Sequence, residues 1–172
     1  MRVRVLFVLS ALTVGAAGCA TVDAPAPAPV PTEARSAGGA PSPVEGYDWF
    51  FNSEGDEASL AYGLDESDDV WLGISCRRGA GRLDLQRPAA ADHPRVIVLE
   101  SGGETQVYPA RSEPSELHEG VFLISEASIS DPVFQRFHST GWLALHGEGD
   151  RSAMVPHPGS VERIERFFAF CG

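Results

Sequence analysis

Five histidines, three tryptophans and three cysteines carry most of the chemistry this chain could offer. The histidines, His93, His118, His138, His146 and His157, follow no metal-ligand spacing. His138 and His146 flank the segment around Trp142 and are placed to meet a carboxylate such as Asp131, which is what a general base requires. The Gly-x-Ser-x-Gly and Ser-x-x-Lys motifs are absent, and no cysteine sits in a motif with a partnered histidine, so no nucleophile is marked. Histidines scattered in this way are more often surface or structural residues.

An acidic belt, Glu54, Asp56, Glu57, Asp65, Glu66, Asp68 and Asp69, offers the carboxylate oxygens that calcium prefers. It lacks the Asp-x-Asp-x-Asp-Gly order of a calcium loop, and runs of like charge are usually solvated, so no metal and no cofactor is assigned. Trp49, Trp71 and Trp142, together with Tyr47, are a candidate binding surface on which a glycan or peptide could stack. Large aromatics also dominate the cores of small β-domains, which is the commoner use.

The elements that would position these groups are short and mostly extended. Apolar or alternating runs recur at 47–51, 60–63, 70–76, 82–86, 96–100, 105–108, 121–125, 142–146 and, weakly, 153–155, separated by Gly-, Ser- and Asp-rich turns. This spacing predicts a mainly β fold, an antiparallel β-sandwich or barrel, with α+β as the alternative. Ser101-Gly102-Gly103 between two alternating runs is the clearest hairpin. In a strand over 70–76, Val70, Leu72, Ile74 and Cys76 point to one side and Trp71, Gly73 and Ser75 to the other.

Two helical pieces interrupt the pattern. Asp131-Pro132 reads as an N-cap followed by Pro at the first helical position, opening a short turn in which Val133, Phe134 and Phe137 share a face. Toward the C-terminal end, Ser160 can cap a helix whose apolar stripe is Val161, Ile164, Phe167, Phe168 and Cys171.

The first residues set the expected address. Arg2 and Arg4 precede an apolar run from Val5 to Val14, and Gly15-Ala16-Ala17-Gly18 leads into Cys19, the layout of a secretory signal peptide over residues 1–18. The run is too short to cross roughly 30 Å of hydrocarbon as a helix. Small residues placed directly before a cysteine resemble the lipobox of bacterial lipoproteins, although Ala16 stands where that family usually carries Leu. The resemblance implies that Cys19 is alkylated by diacylglycerol. The chain would then sit on the periplasmic side of the cell envelope, tied to a membrane through its lipid alone. If Cys19 is consumed by lipid or removed with the signal, Cys76 and Cys171 remain, an even number in an oxidising compartment. Both lie on the apolar sides of their elements, so a disulfide between them is expected to pin the terminal helix to the sheet.

Residues 19–46, with Ala-Pro repeats followed by Gly and Ser, have little to bury and read as an extended tether. Residues 47–172 are of a size for one domain. Every basic residue is Arg and the formal net charge is −11, which disfavours nucleic acid and anionic lipid surfaces as partners. Two functions follow as expectations. One is a non-catalytic binding or interaction module whose partner is an envelope protein, peptidoglycan or a small ligand. The alternative is an envelope hydrolase built on His138 or His146 and an acidic residue.

Overall fold

The computed structural model describes residues 41–116, 119–147 and 149–172. The signal segment, Cys19, most of the tether and His118 lie outside the described residues. Along the chain the elements are β1 (Tyr47–Glu54), β2 (Glu57–Leu64), β3 (Val70–Arg77), β4 (Arg82–Ala89), β5 (Val96–Ser101), β6 (Glu104–Pro109), β7 (Arg111–Pro114), β8 (Val121–Ser128), α1 (Pro132–Thr140), β9 (Leu143–His146), β10 (Arg151–Met154) and α2 (Val161–Cys171).

The fold is mainly β, as the pattern of short runs predicts. One antiparallel sheet has the order β1-β2-β3-β4-β8-β7 and the other β10-β9-β5-β6. Neither closes on itself, so the arrangement is a sandwich and not a barrel, and one buried cluster draws on both sheets and both helices. Alternation carries the inner faces: Leu72, Ile74 and Cys76 are buried on β3, and Ile97, Leu99 and Ser101 on β5. The β5–β6 hairpin turns through Gly102 and Gly103, with φ of 55° and 89°. Two successive positive φ values are what a two-residue turn matching the strand twist requires, and glycine supplies them without strain.

After β6 the chain passes through Ala110, whose N–H donates to the Arg95 carbonyl at 2.9 Å, and enters β7 in the other sheet. Strand β7 was not among the expected runs. Its sequence, Arg-Ser-Glu-Pro, has no apolar alternation, and Pro114 is tolerated because β7 lies at a sheet edge.

The helices form where expected, but their caps differ. Asp131 stands at the N-cap of α1 without a side-chain capping bond. Its carboxylate instead accepts the Ser128 N–H and the Tyr108 hydroxyl, each at 3.0 Å. Val133, Phe134 and Phe137 are buried together, and α1 stops at Gly141 in the left-handed region (φ 75°). Ser160 likewise does not cap α2, because its backbone is helical and its hydroxyl donates to Asp48. Of the expected stripe, Ile164, Phe167, Phe168 and Cys171 are buried, whereas Val161 is 45% exposed and lies outside it.

Asp48 ties the start of α2 to edge strand β1. It also accepts the Trp49 N–H at 2.8 Å, the His157 N–H at 3.2 Å and the Arg163 guanidinium at 3.3 Å. Arg163 reaches on to the Trp49 carbonyl at 2.7 Å, satisfying an acceptor of the sheet edge that would otherwise be open for pairing. At the other end of α2, Cys171 lies within disulfide distance of Cys76 on β3, with Cα atoms 5.8 Å apart across a separation of 95 residues. Both cysteines are buried. No helix among the described residues is long and apolar enough to cross a membrane.

Candidate functional site

The three tryptophans do not make one platform. Trp49 is fully buried, packs on Tyr62 and Phe137 at ring separations of 5.2 and 5.0 Å, and donates its indole N–H to the Met154 carbonyl at 3.3 Å. It is a core residue and leaves the expected binding surface. The β2–β3 register shifts between Tyr62 and Gly63, so Tyr62 pairs with Leu72 and Gly63 with Val70, and Trp71 is the extra residue of a bulge. Its ring meets Tyr47 at 4.8 Å and Tyr62 at 5.5 Å, so it does not stand on the face opposite Leu72 as simple alternation predicts. Tyr47 in turn donates its hydroxyl to Asp69, and that bond raises its pKa.

Trp142 stands apart, just before β9, in a polar cluster on the outer face of the four-stranded sheet. Antiparallel pairing sets Glu100 opposite Ala144 and Arg151 opposite His146, which puts Glu100, His146 and Arg151 on the side facing away from Leu99 and Leu145. Arg151 grips Glu100 with two hydrogen bonds, Nε to Oε2 at 2.7 Å and Nη2 to Oε1 at 2.9 Å. His146 Nε2 shares Oε2 at 2.9 Å. The Arg151 guanidinium also lies 5.3 Å from the centre of the Trp142 ring. Ala144 is fully buried on this outer face, and its small side chain leaves room for the arginine to cross from β10 to β5. From the inner side, the half-buried Arg87 donates to the His146 carbonyl at 3.4 Å.

The electrostatics follow from these contacts. The hydrogen bonds from Arg151 hold the Glu100 carboxyl below its ordinary range; partial burial opposes that and the bond to His146 adds to it. Glu100 reciprocally raises the pKa of Arg151. The group is therefore a fixed carboxylate and guanidinium pair with an imidazole attached, set beside a half-exposed indole.

The expected meeting of His138 or His146 with Asp131 does not occur. Asp131 is taken by Tyr108 and Ser128, and the phenol of Tyr108 is pushed strongly upward by burial and by that carboxylate. His138 stacks on Phe168 at 4.5 Å with the rings nearly parallel. His93 and His157 bond backbone carbonyls, of Pro94 and Val44 respectively. The acidic belt is divided: Glu54, Asp56 and Glu57 surround the β1–β2 turn, whereas Asp65, Glu66, Asp68 and Asp69 occupy the β2–β3 turn. The eight residues of β2 separate them by about 25 Å. Among the described residues no group of three or more His, Cys, Asp or Glu side chains is arranged to hold a metal ion.

Glu100 and Arg151 were not singled out by the sequence reading. Their signal was nevertheless present, since Glu100 and His146 are polar residues at outward positions of otherwise apolar strands. What sequence alone withholds is that β5 and β9 are neighbours. No known protein family, no curated protein and no solved structure matches the chain.

Proposed function

We propose that this chain is a non-catalytic binding module of the cell envelope, anchored by lipid on Cys19, with Trp142, Arg151, His146 and Glu100 as its recognition surface. The observation that carries this reading is the engagement of both Glu100 oxygens by Arg151 beside a half-exposed tryptophan. Trp and Arg are the residues most enriched among those that dominate binding energy, and here both are held in place before any partner arrives. A carboxylate already bonded to a guanidinium is a weakened proton acceptor, which weighs against His146 and Glu100 as an acid–base pair in a hydrolase. The cysteine pair at disulfide distance supports an oxidising compartment. The partner is an envelope protein, peptidoglycan or a small ligand.

The test uses the full chain solubilised from membranes. Native protein should partition into detergent, and Cys19→Ala should become soluble or retain its signal; aqueous partitioning of the native protein would refute the anchor. A partner captured from envelope extract should be lost at least tenfold with Arg151→Ala or Trp142→Ala and be unaffected by His138→Ala. Turnover of an envelope substrate that His146→Ala abolishes would replace the module with an enzyme.

A further inference from the structure

We infer that a groove on the outer face of the six-stranded sheet docks a short extended peptide segment that carries an apolar side chain next to a lysine or arginine. The groove has a volume of about 350 Å³, and Val70, Pro88 and Phe122 provide apolar walls, with Gln86 and Asp68 beside them and Gly73 among its lining. Pro88 and Phe122 are directly paired across β4 and β8. This surface belongs to a different sheet from Trp142 and Arg151, so the inference goes beyond the recognition surface proposed above.

Gly73 is the first observation. It sits in the middle of β3 between Leu72 and Ile74, both buried on the inner face, so a side chain at 73 would stand on the groove side. Its φ is not in the left-handed region. A Cβ placed there would meet only the Gln86 carbonyl, at 3.8 Å, an ordinary contact. Gly63 on the adjacent strand is different, since a Cβ there would come within 2.6 Å of the Asp69 carbonyl. The fold therefore requires glycine at 63 and does not require it at 73. Glycine inside a strand weakens the strand, and where neither a turn nor crowding demands it, it marks close approach by a ligand or another backbone.

Charge identifies the occupant. The β2–β3 turn at one end of the groove carries Asp65, Glu66, Asp68 and Asp69, and none of them forms an ion pair among the described residues. At the opposite end of the same hairpin system, Asp56 and Glu57 face Arg78 and Arg77 at 3.8 Å. The uncompensated end calls for a cation, and the apolar walls call for a hydrophobic anchor beside it. An open groove at the lower end of ligand-pocket volumes suits one or two side chains of a passing segment better than an enclosed small molecule.

A displayed library of random octapeptides, panned against the full chain in detergent, provides the probe. Enrichment of sequences with Lys or Arg next to Leu, Ile, Val or Phe is expected, with binding that weakens as salt rises. A synthetic peptide of the enriched sequence should lose at least tenfold in affinity with Gly73→Leu, which fills the groove, while the melting temperature stays near wild type. The Asp65→Asn, Asp68→Asn double variant, which leaves the core untouched, should lose affinity and most of the salt dependence. Failure of basic and apolar sequences to enrich, or undiminished binding by either variant, would overturn the inference. Enriched peptides that respond to Arg151→Ala and not to Gly73→Leu would overturn the groove while supporting the surface around Trp142. Peptides that respond to Gly73→Leu and to the Asp65→Asn, Asp68→Asn variant but not to Arg151→Ala would leave the groove standing whatever becomes of that surface.

Discussion

Replacing Cys171 by Ala removes the sulfur that lies within disulfide distance of Cys76, and with it the covalent tie expected between the terminal helix and the central sheet. With the cysteines 95 positions apart, the chain-entropy argument assigns the bond about 4.7 kcal/mol at 25 °C. Small domains have about 5–15 kcal/mol in total, so the change consumes a large share of what keeps this one folded. For a domain of this size it corresponds to a fall in Tm of roughly 15 °C. The damage should begin at the end of α2. There the Gly79 and Gly81 N–H groups donate to the Phe170 and Cys171 carbonyls at 3.0 and 2.9 Å, and Arg78 lies 3.9 Å from the centre of the Phe170 ring. The start of the helix keeps its hold through Asp48, so proteolysis should open the chain around Phe168–Phe170 before it reaches Gly159. The assay is thermal unfolding of wild type, Cys76→Ala, Cys171→Ala and the double variant, under conditions that preserve disulfides. Either single change already destroys the bond, so all three variants should melt together. Additive losses in the double variant, or two labelled thiols in unfolded, unreduced mature protein, would refute the reasoning.

Asp48→Ala should destabilise the domain by about 2–4 kcal/mol in urea unfolding, because Ser160, Arg163 and the His157 N–H lose a shared, largely buried acceptor. The Glu100 carboxyl is held low by Arg151, so its contribution is complete above an unfolded-state pKa of about 4.3 and is lost as pH falls through the lower folded-state value. Arg151→Ala should therefore flatten the acid limb of a stability–pH profile, and an unchanged limb would show that the pair contributes nothing there. The two strand glycines should respond in opposite directions to Ala in the same unfolding assay. Gly73→Ala should gain about 0.5–1 kcal/mol, whereas Gly63→Ala should lose stability because its Cβ would collide with the Asp69 carbonyl.

Much of the fold was legible because its inner faces alternate cleanly. Leu72, Ile74 and Cys76 announce β3, the pair Gly102-Gly103 announces a tight hairpin, and Val133, Phe134 and Phe137 announce a helical turn. What the sequence could not convey was partnership between elements. Asp131 and Ser160 have the identity and position of helix caps, yet each is drawn to a longer-range contact, with Tyr108 and with Asp48. Trp71 was assigned to the wrong side because a bulge shifts the period by one residue, and nothing in Val-Trp-Leu-Gly marks it. The acidic belt is contiguous in sequence and split in space because β2 runs through it. Glu100 and Arg151 meet only because β9 lies between β5 and β10, an adjacency that depends on which strands share a sheet.

The placement of Cys171 also sets an order of events. Every strand of the domain precedes α2 in the chain, so in a chain delivered N-terminus first all the sheet-forming segments emerge before the thiol that Cys76 must meet. Until α2 arrives Cys76 is an unmated thiol, which in an oxidising compartment would be open to mixed disulfides. Its site on β3 faces inward, so the assembling sheet and the strands packed over it can shelter the sulfur during that interval. Closure therefore waits for α2, the helix that also supplies Ile164, Phe167 and Phe168 to the buried core.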